Sequence, residues 1–290
     1  MAGHIKRDRL TNERKEELDQ QIVEVLREDH PQSVRHVFYR MTDPRLPEPV
    51  SKDDPGYNRV QRRLVELRRS GRVPYNWITD STRRGYFVNT FTDAADFIRA
   101  HAGLFRADIW SDSDHLVEVW VESRSIGGIV EDLCREYAVS LYPCGGFASI
   151  SMVHQAAVYI NGCIKKTGRK PVILVITDYD PAGELIDEKI QEELGRHLIA
   201  PLECHRVGIS LYQIKKHDLP TKPRKKGDKR AKHIESTVEA EAMPAALLRG
   251  YLRDHIERYM PEHALEVAKV AERSEQEFLF SIANRIEAEA

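Results

Sequence analysis

The chain has 290 residues, 41% of them hydrophobic, with a formal net charge of −2, enough for real cores in one large domain or two of ordinary size. No apolar stretch reaches membrane-spanning length, and the start Met1-Ala2-Gly3-His4-Ile5-Lys6-Arg7-Asp8 has no signal-peptide core. Cys134, Cys144, Cys163 and Cys204 show no zinc-type pairing, so the expectation is a reduced, cytoplasmic protein with no membrane contact.

Residues 1–100 read as a separate unit. Leu10 to Arg14 offers a helix start, and Leu18, Ile22, Val25 and Leu26 repeat at helical spacing through Glu28. His30 to Ser33 then caps a short helix, Val34 to Met41, and a loop with Pro44, Pro47, Pro49 and Pro55 follows. A third helix is predicted from Tyr57 to Ser70, with Val60, Leu64 and Leu67 on its buried side and Gly71 ending it. Arg72 to Arg84 alternates enough to be a β wing. Between Tyr57 and Arg84 there are eight arginines, against Glu66 and Asp80. Three helices and a wing, with the third helix basic, describe a winged helix-turn-helix. Arg59, Arg62, Arg63, Arg69, Arg83 and Arg84 are its candidate contacts to double-stranded DNA, reaching phosphates or guanine edges from the major groove. The alternative is a solvated helix laced with arginine.

Residues 101–290 alternate strand and helix. Leu116 to Glu122 is a predicted strand ending on an acid, and Ile129 to Tyr137 a helix. Val139 to Tyr142 is the next strand, leading through Pro143-Cys144-Gly145-Gly146 to a helix from about Ser149 to Lys166. Pro171 to Ile176 is a β-branched run typical of a buried parallel strand. It ends on Thr177-Asp178-Tyr179-Asp180-Pro181-Ala182-Gly183, and Glu184 to Leu194 is helical. Alternate residues of an extended chain point the same way, so Asp178 and Asp180 can both aim into the crevice at the carboxyl end of the sheet, where open α/β folds bind ligands. Two carboxylates there repel unless a divalent cation joins them, and hard oxygen donors suit Mg²⁺. A turn that merely caps the strand end is the competing reading. Further on, Arg206 to Leu211 is predicted as a strand and Gln213 to Asp218 as a short helix. Between Lys215 and Lys232, nine basic residues face two acids, either a phosphate-contacting loop or a solvated one. Pro244 opens an amphipathic helix, and Pro261 the last, charged helix.

The order of strand with Glu, loop with Gly, and strand with Asp-x-Asp resembles the Toprim domain of topoisomerases, primases and related nucleases. The form Asp178-x-Asp180-Pro181-x-Gly183 is similar to the topoisomerase VI A subunit and its relative, the meiotic double-strand-break transesterase. The resemblance implies an α/β fold: an N-terminal winged helix, then a Rossmann-like, mainly parallel Toprim sheet over residues 101–290 with C-terminal helices. It implies Glu122, Asp178 and Asp180 as metal-site carboxylates and Gly146 as the loop glycine. An acidic strand beside that site in such relatives makes Glu239 and Glu241 second-rank candidates.

The resemblance extends to Arg35-His36-Val37-Phe38-Tyr39, since that family's nucleophile motif is an Arg followed four residues later by the second of two aromatics. It implies Tyr39 as nucleophile and Arg35 as its phosphate-holding neighbour, one helical turn away on the same face. Tyr39 packed in the winged-helix core is the alternative. The leading expectation is therefore Mg²⁺-dependent DNA cleavage by tyrosyl transesterification. In the resembling family a homodimer brings one protomer's tyrosine to the other's metal, and strand passage would need a separate ATPase subunit. The alternatives are a water-using Toprim endonuclease with Tyr39 structural, and a non-catalytic DNA-binding protein.

Overall fold

The computed structural model describes residues 11–79, 88–224, 231 and 233–289. Helix α1 (Asn12–Glu28) starts on Thr11, whose hydroxyl accepts from the Arg14 N–H. Helix α2 (Val34–Met41) starts on Ser33, and α3 (Asp54–Arg69) on Asp53, which accepts from the Gly56 N–H at 2.8 Å. These side chains satisfy amide donors that helix starts leave orphaned. The third helix thus begins three residues before Tyr57, with Pro55 inside its first turn.

The expected wing takes another form where it is described. Tyr75–Trp77 is a 3-10 turn, and Ile78 forms a single parallel bridge to Gln32. The Trp77 ring stacks on His30 at 4.4 Å. Arg83 and Arg84 lie outside the described residues. Helix α4 (Ala94–Ala102) then leads towards the sheet.

Strand β1 (His115–Val121), helix α5 (Arg124–Glu136), β2 (Ser140–Pro143), α6 (Ile150–Thr167), β3 (Lys170–Ile176), α7 (Pro181–His197) and β4 (Glu203–Gly208) build a sheet of order β2-β1-β3-β4. All its pairings are parallel, so the α/β expectation is met. Crossover helices cover both faces, which is why the central strands read as unbroken apolar runs. Val117, Val119, Val121, Val172, Leu174 and Ile176 face the side covered by α5 and α9, and share one buried cluster with residues of α1–α3. Trp120, Ile173 and Val175 face α6 and α7. Ile173 and Leu174 are fully buried, each gaining about 1.5–3 kcal/mol from removal of apolar surface from water.

Beyond β4 come α8 (Leu211–Lys216), a small antiparallel pair β5 (Lys222–Pro223) and β6 (Ser236–Thr237), then α9 (Ala245–Glu257) and α10 (Ala264–Glu289). Between β6 and α9, Val238 pairs antiparallel with Tyr179, exchanging hydrogen bonds of 2.8 and 3.0 Å. A 3-10 turn at Ala240–Ala242 follows and packs against α2. This return of the chain carries Glu239 and Glu241 to the end of β3. Among the described residues no helix is long and apolar enough to cross a membrane.

Candidate active site at the carboxyl edge of the sheet

Strands β1 and β3 end in register, Val121 opposite Ile176, so the next residues of both emerge together. The Glu122 N–H donates to Ile176 O, and the Asp178 N–H to Glu122 Oε2, both at 2.9 Å. Asp178 Oδ1 accepts from the Ala240 N–H at 2.8 Å. Glu241 is 4% exposed; its Oε1 accepts from Ser123 Oγ at 3.2 Å and from Ser125 Oγ. Glu122, Asp178 and Glu241 therefore come together, from two strand ends and the returning segment.

Asp180 takes a different part. Its Oδ1 accepts from the Ala182 and Gly183 N–H groups at 2.9 and 2.7 Å as the N-cap of α7. Asp180 thus caps the turn through Oδ1, while Glu122, Asp178 and Glu241 line the cavity. Asp180 stays close enough for its charge to raise the Glu122 and Asp178 pKa values. Gly183 is required here, because a Cβ would lie 2.1 Å from Asp178 O. The Arg206 guanidinium braces the same turn, donating to Asp178 O at 2.5 Å and to Asp187 Oδ2 at 2.8 Å. Gly146, with φ +101°, donates its N–H to Glu122 O at 2.8 Å. The loop glycine therefore fixes the backbone of the first acid through a conformation other residues rarely adopt.

Proximity and burial disfavour ionisation. Burial, then the charges of Glu122 and Glu241, push Asp178 up to about 8. Glu122 is also raised, by burial and by Asp180 and Glu241, against the opposing hydrogen bond from Asp178. Acids whose ionisation burial and like charge disfavour, sitting in a cleft, mark a functional-site candidate.

The cavity at these acids has a volume of about 730 Å³. Glu122, Asp178 and Glu241 share it with Arg35 of α2, Arg68 of α3 and Arg124 of α5. Arg68 Nε is buried without a hydrogen-bond partner among the described residues, and its guanidinium lies 5.5 Å from the centroid of the Tyr75 ring. Arg35 donates to Glu239 Oε2 at 3.0 Å, and Lys222 donates to Glu239 Oε1 at 2.7 Å. Glu239 is thus neutralised by two cations and stands off the acidic wall. Burial works to raise its pKa, but Lys222 and Arg35 bring it below the ordinary value.

Tyr39 is 6% exposed, with Lys52 and Lys222 ammonium groups 5.4 and 5.6 Å from its ring centroid. Burial pushes its hydroxyl up to about 12, opposed by Lys222 and reinforced by Glu239. Arg35 and Tyr39 line different cavities, and the charge of Glu239 acts on both.

The arginines of α3 divide by face. Arg62 and Arg69, seven residues apart, are exposed on one side of the helix, and Arg59 is half-buried. Arg63 is corrected by the structure. It is 9% exposed and bound to Asp19 through Nε at 2.6 Å and Nη2 at 2.5 Å, with Nη1 on Glu66. This guanidinium crosslinks α3 to α1 and is not free for DNA. Counting charges along α3 hid its inward direction, and undervalued Arg68, which falls in line with the cavity-lining Tyr57, Gln61 and Val65.

Among the described residues no three His, Cys, Asp or Glu side chains gather closely enough to hold a metal ion alone. Mg²⁺ usually keeps several waters and takes one or two carboxylates plus substrate phosphates. Glu122 and Asp178 fit that demand in donor type, since Glu122 Oε1 and Asp178 Oδ2 accept no hydrogen bond from the described residues. No family model, curated protein or solved structure matches this chain.

Proposed function

We propose that this chain cleaves DNA phosphodiester bonds at the cleft shared by Glu122, Asp178 and Glu241 with Arg35, Arg68 and Arg124. The observation that carries this reading is the joint lining of one cavity by raised-pKa carboxylates and guanidinium groups. Guanidinium groups alone suit a phosphate, and buried acids alone would repel it. The two together suit a phosphate whose approach is accompanied by a cation. Glu122 and Asp178 would hold Mg²⁺, with Glu241 and Asp180 adding negative field, and the ion would supply neutralisation of charge on the phosphoryl and leaving oxygens. Arg35 and Arg68 orient the phosphate. Exposed Arg62 and Arg69 give the duplex phosphates a second footing on α3.

Water is favoured as the nucleophile. Tyr39 is nearly buried and its ionisation is disfavoured, so its first role is to seat α2 and, through Glu239, Arg35. Tyrosyl transesterification, as in the topoisomerase VI A resemblance, is the second reading. One observation supports it: Lys222 lies at the phenol and opposes the rise in its pKa. That reading calls for a two-fold partner to supply the metal site, and strand passage for a separate ATPase subunit. Incubation with supercoiled DNA and Mg²⁺, followed by denaturation, tests both. Free cut ends support the first reading, protein covalently attached to a cut end supports the second, and DNA that is bound but intact overturns both in favour of a binding module.

A further inference from the structure

Two neutral polar atoms are buried without partners on the side of α2 away from the acidic cleft. Gln32 and His36, four residues apart, are each 1% exposed, and neither Gln32 Oε1 nor His36 Nε2 meets a hydrogen-bond partner among the described residues. Buried polar atoms are nearly always paired, so two orphans this close call for a reason. Both residues line a cavity of about 400 Å³, a size that suits small-molecule sites. Tyr39, Pro44, Pro220 and Met243 contribute flat or apolar wall.

The orphaned pair is uncharged. Gln32 Nε2 donates to Asp29 O, which leaves Oε1 as an open acceptor. His36 Nδ1 shares a 2.9 Å hydrogen bond with Ser33 Oγ, and burial drives the ring down to about 3, so it stays neutral. Arg40 and Arg45 also line the cavity, but each is already paired, with Glu28 at 2.7 Å and Asp43 at 2.6 Å. Asp218 and Glu241 also lie on the wall, which disfavours an anionic occupant. A flat ring with apolar faces and a polar edge matches both the walls and the orphans.

Position supplies the second argument. Glu241 lines this cavity and the acidic cleft alike. Helix α2 stands between them, giving Arg35 to the cleft and His36 and Tyr39 to the cavity. We propose that the cavity is a nucleobase pocket, taking a base from the strand whose phosphate occupies the Glu122–Arg35 cleft. Gln32 Oε1 accepts from an amino or ring N–H on the base edge, His36 Nε2 completes the pairing, and the apolar walls cover the ring, as in sites that read extruded bases. The strand source rests on the DNA reading above; the nucleobase chemistry does not.

Two measurements on the full wild-type chain test it without any variant: calorimetric titration with each of the four nucleosides, and affinity for single-stranded oligonucleotides in which one abasic site is moved along the sequence. At least one nucleoside is expected to bind, and one abasic position to weaken binding about tenfold, the loss for one well-made base contact. Gln32→Met keeps the side-chain length and removes the acceptor; it is expected to fold and to lose the difference between intact and abasic strands. No nucleoside binding together with a flat abasic scan overturns the pocket, even if DNA still binds. Nucleosides that bind while DNA does not would keep the pocket, as a free-nucleoside site, and defeat the DNA reading instead.

Discussion

The backbone N–H of Asp178 donates to the Glu122 carboxylate at 2.9 Å, locking the acids at the ends of two neighbouring parallel strands into one site. The bond opposes the rise in the Glu122 pKa but does not cancel it. The pair is held together although burial and like charge act against its ionisation.

That opposition gives a pH dependence of known sign. Burial and the neighbouring acids push Asp178 up to about 8 in the fold, against about 3.9 for a free Asp side chain, so the folded chain binds more protons in between and loses stability as pH rises through that window. Glu118, fully buried and pushed up to about 8 by burial, adds to the same trend. Asp178→Asn should flatten part of the slope and gain stability relative to wild type as pH approaches about 8, measured by urea unfolding. Mg²⁺ should stabilise wild type more near pH 8 than near pH 5, because ligation needs the deprotonated acid. A variant with the wild-type slope would contradict the assignment.

Asp180 has two separable duties. Asp180→Ala removes the α7 cap and should cost about 1 kcal/mol in the absence of Mg²⁺. Asp180→Asn keeps an acceptor oxygen for the Ala182 and Gly183 N–H groups, so its unfolding midpoint should match wild type. If Asp180 also supplies field to the metal site, the Asn variant should lose cleavage while keeping stability. Full activity in that variant would reduce Asp180 to a cap.

How much of this was legible in the sequence depends on what each residue's role requires. Strands β1 and β3 were, because burial on both faces forces apolar runs, and Glu122 and Asp178 follow directly from where those runs stop. The first two helix starts were legible at Leu10 to Arg14 and His30 to Ser33, but α3 and α5 begin earlier than the Tyr57 and Ile129 starts predicted for them, on caps at Asp53 and Ser123. The share of Glu241 in the site was not decidable from its neighbours, since it depends on the Tyr179–Val238 pairing, which spans 59 positions. Nor was the burial of Arg63, whose partner Asp19 lies 44 residues away. The alternation after Arg72 pointed to a strand, but Pro74 opens a 3-10 turn.

Arg63 and its neighbours therefore part in mutagenesis. Arg63→Ala leaves buried Asp19 with only the longer 3.7 Å ion pair to Arg72 and should cost at most about 3–5 kcal/mol, the scale for breaking a buried pair, read from the urea midpoint. Replacing exposed Arg62 and Arg69 by Ala should leave stability within about 0.5 kcal/mol. It should also make the log affinity versus log salt slope shallower by about 0.9 for each phosphate that is no longer neutralised. An unchanged slope would remove that face of α3 from the DNA interface.

Tyr39→Phe deletes one oxygen and keeps the ring under Lys52 and Lys222. With water as nucleophile, cleavage should persist within about tenfold, the decrease coming from a loosened Lys222–Glu239–Arg35 chain. Complete loss of cleavage with intact folding and DNA binding would transfer the nucleophile role to Tyr39.

The most direct measurement compares cutting of supercoiled DNA by wild type and Asp178→Asn, with Mg²⁺ and with chelator, at protein concentrations giving equal DNA occupancy. The account expects Mg²⁺-dependent nicking or linearisation by wild type, and a drop of at least about a hundredfold in the variant, the scale for losing an electrostatic group at a reacting phosphate. Equal cutting by both proteins, or cutting that ignores the chelator, would contradict it.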